Sequence, residues 1–577
     1  MKNKRKQLLK LVFLFIVGFG VPFLLVNQVK AVSDNVKFTV HYIDVGAGDG
    51  ALLQYGEGEN AKYALIDAGP IEYERTDDAW VNTSKIVLNY LKKHNITELE
   101  FAMATHPHVD HMGGFLSIFE DDDIHIKKIY VNQNTINLNN PNFSTTDNLY
   151  DTDIIRRFDE ALEKRQRKSK EKKLEEFVVE EPVAGKKVWL GPEGEGMLME
   201  ILGPVDTDFI FGRAVSLVAR QVNKYSVVCK LTYGTNTFLM TGDTQKEPVQ
   251  DMISKGKNLQ AQVLKVPHHG MQDVTEENKK GDYTSDHKLL FDRTQGALAI
   301  VSNGYKNANR SPLDRTVRDL GEYNIYTTSH NGSIKVVSDG KKLSIEGSKS
   351  STAEEYGEYI PKTRSSRLLS AVNVKTTGAK TLNPTRSDAA NTYNLYEKKP
   401  VTVSFSATAR SFTDLTAIQY KVVNKGCSNT KVSYKNGNQV TIGDGFCGRI
   451  YVRFVTPLGS TVMKLPGFTV DTKAPVSAKI KGNKKGIKTL SLSSKNSYNT
   501  KFKKYIKLYF SASYGTSGKY CTKYKIVPKG KSASGYKWKT GNSVTYKTKK
   551  KKVRVYVRFT DKSGNITERK TNGFYIK

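Results

Sequence analysis

Three imidazoles and a carboxylate fall within six consecutive positions of the motif Thr105-His106-Pro107-His108-Val109-Asp110-His111, directly after the run Leu99 to Ala104, which reads as a short buried strand. A turn at the end of that strand would offer His106 and His108 to one cation, while Asp110 and His111 reach a second. Two later segments have the same setting. Phe238 to Thr241 reads as a strand ending in Gly242-Asp243, and Ala261 to Val266 as a strand ending in Pro267-His268-His269-Gly270. Ligands at strand ends converge on one sheet edge, so Asp243 is the expected bridging carboxylate, and one of His268 and His269 a ligand of the second cation. His268 is favoured for that role, with His269 as its companion or proton donor. Two cations so held lower the pKa of water and neutralise charge that builds on the oxygens of a substrate, which is hydrolytic chemistry, and Asp110 helps orient the nucleophile. Structural histidines would scatter, yet five of the ten lie in these two short motifs.

Such residues need strands to carry them. Val36 to Val45 alternates apolar and polar positions, Gly46 to Gly50 supplies a turn, and Ala51 to Gln54 starts a second strand, a β-hairpin pattern. Tyr63 to Ile66 is a third strand, and Trp80, Ile86, Val87 and Leu91 recur at helical spacing. Strands and helices then alternate to about Val337, an α/β pattern. Asp151 to Phe177 is so highly charged that it is expected to be a surface insertion. The hydrolytic domain is therefore placed at 36–345, followed by a polar linker at 346–397. Beyond it an internal repeat of about 105 residues begins. Tyr451-Val452-Arg453-Phe454 recurs as Tyr556-Val557-Arg558-Phe559, and Val403-Ser404-Phe405-Ser406-Ala407 matches Leu508-Tyr509-Phe510-Ser511-Ala512. Short alternating strands at this length predict two all-β sandwiches, 398–475 and 476–577.

Five segments in order carry a family resemblance: Ile43-Asp44-Val45-Gly46-Ala47-Gly48-Asp49, Leu65-Ile66-Asp67-Ala68-Gly69, the His-rich motif, Leu239 to Thr244, and Leu264 to Gly270. Together they resemble the metallo-β-lactamase superfamily, and most of all the soluble domain of the ComEC family of competence DNA-uptake channel proteins. The repeats resemble bacterial immunoglobulin-like modules. The resemblance implies an αββα sandwich, two divalent ions (Zn or Mn), Asp67 supporting the ligand histidines, and Asp49 beside the metals in the catalytic set. The chain departs from the family in two places. The usual third-motif histidine has no candidate, and Asn223 stands nearest to its expected place. Arg310 stands where that group often has histidine before proline, and is expected to contact a phosphate oxygen. The family's many membrane helices are also absent from the pattern.

The address is read from the ends. Lys2, Lys4, Arg5, Lys6 and Lys10 precede the apolar run Leu11 to Val26, and Val29-Lys30-Ala31 offers a cleavage point, so 1–31 is expected to be a secretory signal or an uncleaved anchor. The formal net charge is +33. Between Lys481 and Lys577 there are 27 Lys plus Arg against Asp561 and Glu568, so an anionic polymer, DNA or teichoic acid, is the expected partner of the last module. Four cysteines occur, and Cys427 and Cys447 are either a disulfide pair or two thiols. The combined expectation is a secreted, wall-associated two-metal phosphodiesterase acting on extracellular DNA. The alternatives are a teichoic acid or phosphorylcholine esterase, a β-lactamase, and an adhesion protein with a degenerate hydrolase domain. Only Trp80, Trp189 and Trp538 occur, which argues against Trp-rich choline-binding repeats.

Overall fold

A computed structural model describes residues 36–71, 73–75, 80–82, 84–131, 149–171, 177–205, 223–271, 287–304, 311–353, 367–379, 393–495 and 497–577. The signal-like segment 1–31 and Arg310 lie outside them. The chain divides into two compact units, one of residues up to Ala261 with Lys335–Lys341, the other of Gln262–Ile334 with Lys342–Lys577. No helix among the described residues is long and apolar enough to cross a membrane.

In the first unit the hairpin of Phe38–Tyr42 and Gly50–Tyr55 continues antiparallel into Lys62–Ala68. Parallel strands Phe101–Met103, Lys128–Tyr130 and Val178–Glu180 extend the sheet. A second sheet of the same unit runs antiparallel through Lys187–Leu190, Met197–Gly203, Val228–Tyr233 and Asn236–Met240. Apolar side chains of both sheets meet between them: Phe38 packs edge-on against Phe238 at 5.6 Å between ring centroids and tilted against Tyr233 at 5.9 Å. Burial of these rings at the usual ~25 cal/mol per Å² drives the two sheets together.

Helices cover the outer faces. Ile86–Lys93 and Phe115–Glu120 pack their apolar residues on the first sheet. The helix Leu149–Glu171 corrects the expectation of a surface insertion, because Ile154, Ile155, Phe158 and Leu162 are buried in the same core. Its stripe recurs at about helical period, and the charges fill the remaining face. Even buried Arg165 is used, donating to the carbonyl oxygens of Asp121 at 2.8 Å and Ile124 at 2.6 Å just past the preceding helix. Lys246–Ser254 covers the second sheet, with Met252 against Gly203.

The second unit begins with three parallel strands, Val263–Lys265, Leu298–Val301 and Asn324–Thr327, accompanied by helices Lys288–Thr294 and Asp314–Leu320. Two β-sandwiches follow, each of a three-stranded and a larger sheet. The α/β part and the two all-β sandwiches agree with the fold class expected from the pattern. One boundary moves. Leu369–Thr377, placed in the linker, is a strand paired with Val401–Ala409, and Leu395–Glu397 pairs with Phe468–Val470. All four cysteines are free thiols, so Cys427 and Cys447 form no disulfide.

The larger sheets repeat one arrangement of cations and rings. In the first module Arg453 and Lys421 stack on Tyr434 at 4.0 and 4.6 Å, and Arg449 on Tyr393 at 4.8 Å. In the second, Arg558 and Lys525 stack on Trp538 at 4.5 and 4.6 Å, and Arg554 on Tyr498 at 4.9 Å. The buried ammonium groups of Lys421 and Lys525 also donate to the carbonyl oxygens of Asn429 and Ala533.

Candidate metal centre

The first unit brings the His-rich turn and Asp243 to one place. His106 and His108 leave the strand Phe101–Met103 at its C-terminal end, and Asp243 leaves Asn236–Met240 in the same way. Ligand atoms of His106, His108 and Asp243 lie within 4.8 Å of one another, as do those of Asp110, His111 and Asp243. Asp243 therefore belongs to both groups, the position a bridging carboxylate needs. Asp49, Asp67 and His111 form a third, overlapping group.

Local geometry fixes which ring nitrogens face inward. Asp67, at φ 56°, is held in a left-handed backbone conformation at its strand end. One of its carboxylate oxygens accepts from the Thr105 amide at 2.8 Å, and the other accepts from the Thr105 hydroxyl and from His111 Nδ1, each at 2.8 Å. The Thr105 oxygen, having donated to Asp67, accepts from His106 Nδ1 at 3.1 Å. Both Nδ1 atoms thus carry a proton, which leaves Nε2 as the nitrogen of each ring that can offer a lone pair to a cation once any second proton is displaced. His106 Nε2 lies 3.0 Å from His108 Nδ1 and 3.8 Å from the Asp243 carboxylate, and His111 Nε2 lies 3.2 Å from Asp243. These lone pairs and carboxylate oxygens are the donor set that Zn or Mn takes, so the residues present fit a pair of divalent cations.

The charge balance agrees. Burial, reinforced by the neighbouring His111 and His108, holds His106 well below the usual imidazole range. Burial opposes a proton on His111 too, but Asp243, Asp67 and Asp110 outweigh it and hold that ring well above the range. Burial raises Asp67, with His111 pulling the other way. A pocket that draws a proton to His111 is one whose carboxylates call for positive charge, and metal binding competes with that proton.

The backbone is packed to hold this turn. A Cβ on Gly114 would stand 1.9 Å from the Ala68 carbonyl oxygen, so only glycine lets the turn sit against the Asp67 strand. The Asp49 amide donates to the Asp110 carbonyl at 3.1 Å, which fixes Asp49 beside the turn. Thr105 and Ser226 were missed from the sequence. The first links Asp67 to His106, and the Ser226 hydroxyl accepts from the Asp243 amide at 3.1 Å. Thr105 opens the motif, yet nothing in spacing distinguishes such a relay from an ordinary polar residue. Asn223 is buried at the start of a short turn whose next residue but two is Ser226, and its Oδ1 has no hydrogen-bond partner among the described residues.

In the second unit His268 and His269 occupy the tight turn Pro267–Gly270, both left-handed at φ 49° and 53°. His269 is buried and its Nδ1 donates to the Ser302 carbonyl at 2.9 Å, which leaves Nε2 as the lone-pair nitrogen. His268 is half-buried. The tautomer logic that marks His106 and His111 therefore selects His269, rather than the sequence-favoured His268, as the ligand-like member of the pair.

No family model matches the chain. The chain is similar to the uncharacterised protein YcaI of Escherichia coli K12, 33% identical over 117 residues, 20% of this chain and 14% of that protein. It is also similar to ComE operon protein 3 of Bacillus subtilis 168, 22% identical over 308 residues, 51% of this chain and 32% of that one. The chain thus spans a third or less of the length of either relative. Solved structures that resemble it include a diphosphatase of the PhnP family, at 11% identity and a TM-score of 0.25 over 51% of this chain and 94% of that one. The hydrolase AbOPH of the β-lactamase superfamily is 12% identical with a TM-score of 0.22, over 34% and 56%. Fibronectin(III)-like modules of CbhA from Clostridium thermocellum are 11% identical with a TM-score of 0.17, over 36% and 94%. These scores are too low to assign a function, which rests on the side chains above.

Proposed function

We propose that the chain is a metal-dependent hydrolase of phosphodiesters, acting outside the cell on an anionic polymer, with extracellular DNA as the first substrate. The observation that carries this reading is the shared position of Asp243 between His106 with His108 and Asp110 with His111. In this reading His106 and His108 hold one divalent ion, Asp110 and His111 the other, and Asp243 both. Bound there, two cations would acidify water and neutralise charge developing on the phosphoryl oxygens. The chain's own residues supply orientation. Asp67 fixes His111 directly and His106 through Thr105, so that neither ring must reorient during the reaction. In this reading Asp110, more exposed than Asp243, would take a proton from the nucleophile. The motifs' resemblance to the soluble domain of the competence family supports DNA as substrate, and the basic last module supports retention on a polyanion.

The test is metal analysis of the full-length chain, with a panel of bis-p-nitrophenyl phosphate, single- and double-stranded DNA, teichoic acid and nitrocefin. Metal-dependent turnover of the first three supports the reading. Turnover of nitrocefin or of teichoic acid alone replaces it, and no turnover by a metal-loaded protein overturns it. His269→Ala should lose bound metal while His268→Ala keeps it, and the opposite result restores the sequence-favoured assignment.

A further inference from the structure

The two β-sandwiches are copies of one plan about 105 residues apart, so each is a control for the other. What both keep belongs to the fold, and what only one has invites a functional reading. The cation-and-ring arrangement of the larger sheets is kept in both. The outer face of the three-stranded sheet is not. Along its middle strand the outward positions of the first module are Thr402, Ser404 and Ser406, and in the second they are Lys507, Tyr509 and Ser511. The neighbouring strand places Asn373 opposite Ser406 and Lys375 opposite Ser404 in the first module, so one lysine of this face is common to both and the tyrosines, Lys479 and Lys507 are not. In the second it places Lys479 opposite Ser511 and Lys481 opposite Tyr509.

This face exposes rings that the fold does not need outside. Tyr509 is 47% exposed and Tyr505, just before the strand, 40%, while the inward residues of the strand, Ile506, Leu508 and Phe510, are buried. Lys507 lies 5.2 Å from the centroid of Tyr509, and Lys484 5.2 Å from that of Tyr505. Cation–π contacts this exposed to water are too weak to explain two outward tyrosines as a stabilising device. Lys479, Lys481 and Lys507 have no ion-pair partner among the described residues. A sheet face with exposed rings beside ammonium groups that have no carboxylate partner among the described residues matches a polymer that has both a phosphate chain and planar bases. Poly(glycerol phosphate) offers only the first.

We propose that this face is a docking site for single-stranded nucleic acid, with bases stacked on Tyr505 and Tyr509 and phosphates held by Lys479, Lys481 and Lys507. The proposal deepens the phosphodiester-polymer reading and rests on it for the choice of polymer. Affinity should then have two separable parts, a stacking part from the tyrosines and a salt-dependent part from the lysines.

The experiment measures binding of fluorescein-labelled oligothymidylate and of labelled poly(glycerol phosphate) to the full-length chain in chelator, so that no probe is hydrolysed. Tyr505→Ala with Tyr509→Ala should weaken oligothymidylate binding by about tenfold or more and leave poly(glycerol phosphate) within about twofold. Lys479→Gln with Lys481→Gln and Lys507→Gln should weaken both and reduce the slope of log affinity against log salt by roughly 2. Thr402→Lys with Ser404→Tyr should add a second site to the first module. All positions are at the surface, and circular dichroism confirms that each variant folds. Tyrosine variants that bind oligothymidylate as the parent does, or lose both probes equally, overturn the proposal. Turnover of bis-p-nitrophenyl phosphate by the metal-loaded chain is read separately. Tyrosine-dependent binding without turnover sinks the hydrolase reading alone, and turnover with tyrosine-independent binding sinks the docking face alone.

Discussion

The His/Asp cluster of the first unit and the cation-and-ring ladders of the second bury charge in opposite ways. In the cluster, Asp49, Asp67, Asp110 and Asp243 crowd around three imidazoles, and the carboxylates outweigh burial to draw a proton onto His111. In the ladders, Arg453 and Lys421 meet Tyr434, and Arg558 and Lys525 meet Trp538, with backbone carbonyls taking the ammonium protons. The first arrangement sets four carboxylates against three imidazoles. The second sets its cations against aromatic faces and backbone carbonyls. Buried charge by itself therefore does not mark a site; an imbalance that only a ligand resolves does.

The largest expected effect removes the shared carboxylate. Asp243→Asn keeps the shape but removes the one carboxylate that stands with His106 and His108 and one of the two in the group of Asp110 and His111, so turnover should fall by about 10³-fold or more, since a cation pair contributes several kcal/mol and each ~1.4 kcal/mol is tenfold. Metal content and bis-p-nitrophenyl phosphate turnover are measured on the same preparation. Full turnover at full metal content would put Asp243 on the ladders' side of the comparison.

His41 supplies the opposite case within the same unit, a buried imidazole with nothing left to bind. Its Nδ1 accepts from Tyr90 at 2.9 Å and its Nε2 donates to Gln54 at 3.0 Å. Burial, aided by Lys335 and His94, lowers its pKa to about 4. Above ~6.5 the ring is neutral folded or unfolded, and its contribution is complete. As pH falls from ~6.5 toward 4 the unfolded chain takes up a proton that the folded one refuses, so stability is lost across that window, by roughly 2–3 kcal/mol at most. His41→Gln should flatten the acid side of a thermal-midpoint profile between those values while leaving metal content alone. A variant profile as steep as the parent's would mean that the acid loss comes from elsewhere.

Asp67→Asn tests orientation without removing an expected ligand. Its amide oxygen can still accept from one partner, but its NH2 faces His111 Nδ1 and favours the wrong tautomer. Metal affinity should drop by about 10–100-fold, read by competition with a chromophoric chelator. An unchanged affinity would make Asp67 a purely structural strand-end residue.

How much of this the sequence discloses depends on whether residues act through neighbours in the chain or through space. His106, His108, Asp110, His111 and Asp243 are legible because each follows an apolar run that ends where the chemistry starts. Thr105 and Ser226 are not, because their roles are set by what lies across the sheet edge. The helix Leu149–Glu171 hid its buried stripe among charges that a count of composition weighs equally. Leu369–Thr377 hid as a linker because it buries little, its outward Ser370, Asn373 and Lys375 reading as polar coil until Val401–Ala409 pairs with it. The repeat was plain from Tyr-Val-Arg-Phe, but not that its Arg and Tyr belong to a ladder, since Tyr434, Trp538, Tyr393 and Tyr498 come from distant segments.

The smallest expected effect asks whether the ladder is architecture alone. Trp538 stacks with both Arg558 and Lys525, two contacts worth about 0.5–1 kcal/mol each, so Trp538→Ala should destabilise the second module by roughly 1–2 kcal/mol. Tyr434→Ala should do the same to the first, since its ring holds Arg453 and Lys421 in the equivalent place. Both variants should turn over bis-p-nitrophenyl phosphate at the parent rate and bind oligothymidylate within about twofold, because the open tyrosines stand on the other sheet. Lys525 discriminates further: once its ring is gone it still donates to the Ala533 carbonyl, so Trp538→Phe, which restores a smaller ring, should recover part of the thermal midpoint. If Trp538→Ala instead leaves the midpoint unmoved and abolishes oligothymidylate binding, the ladder is a recognition surface awaiting its ligand, and the contrast between the carboxylate-rich cluster and the ladder fails.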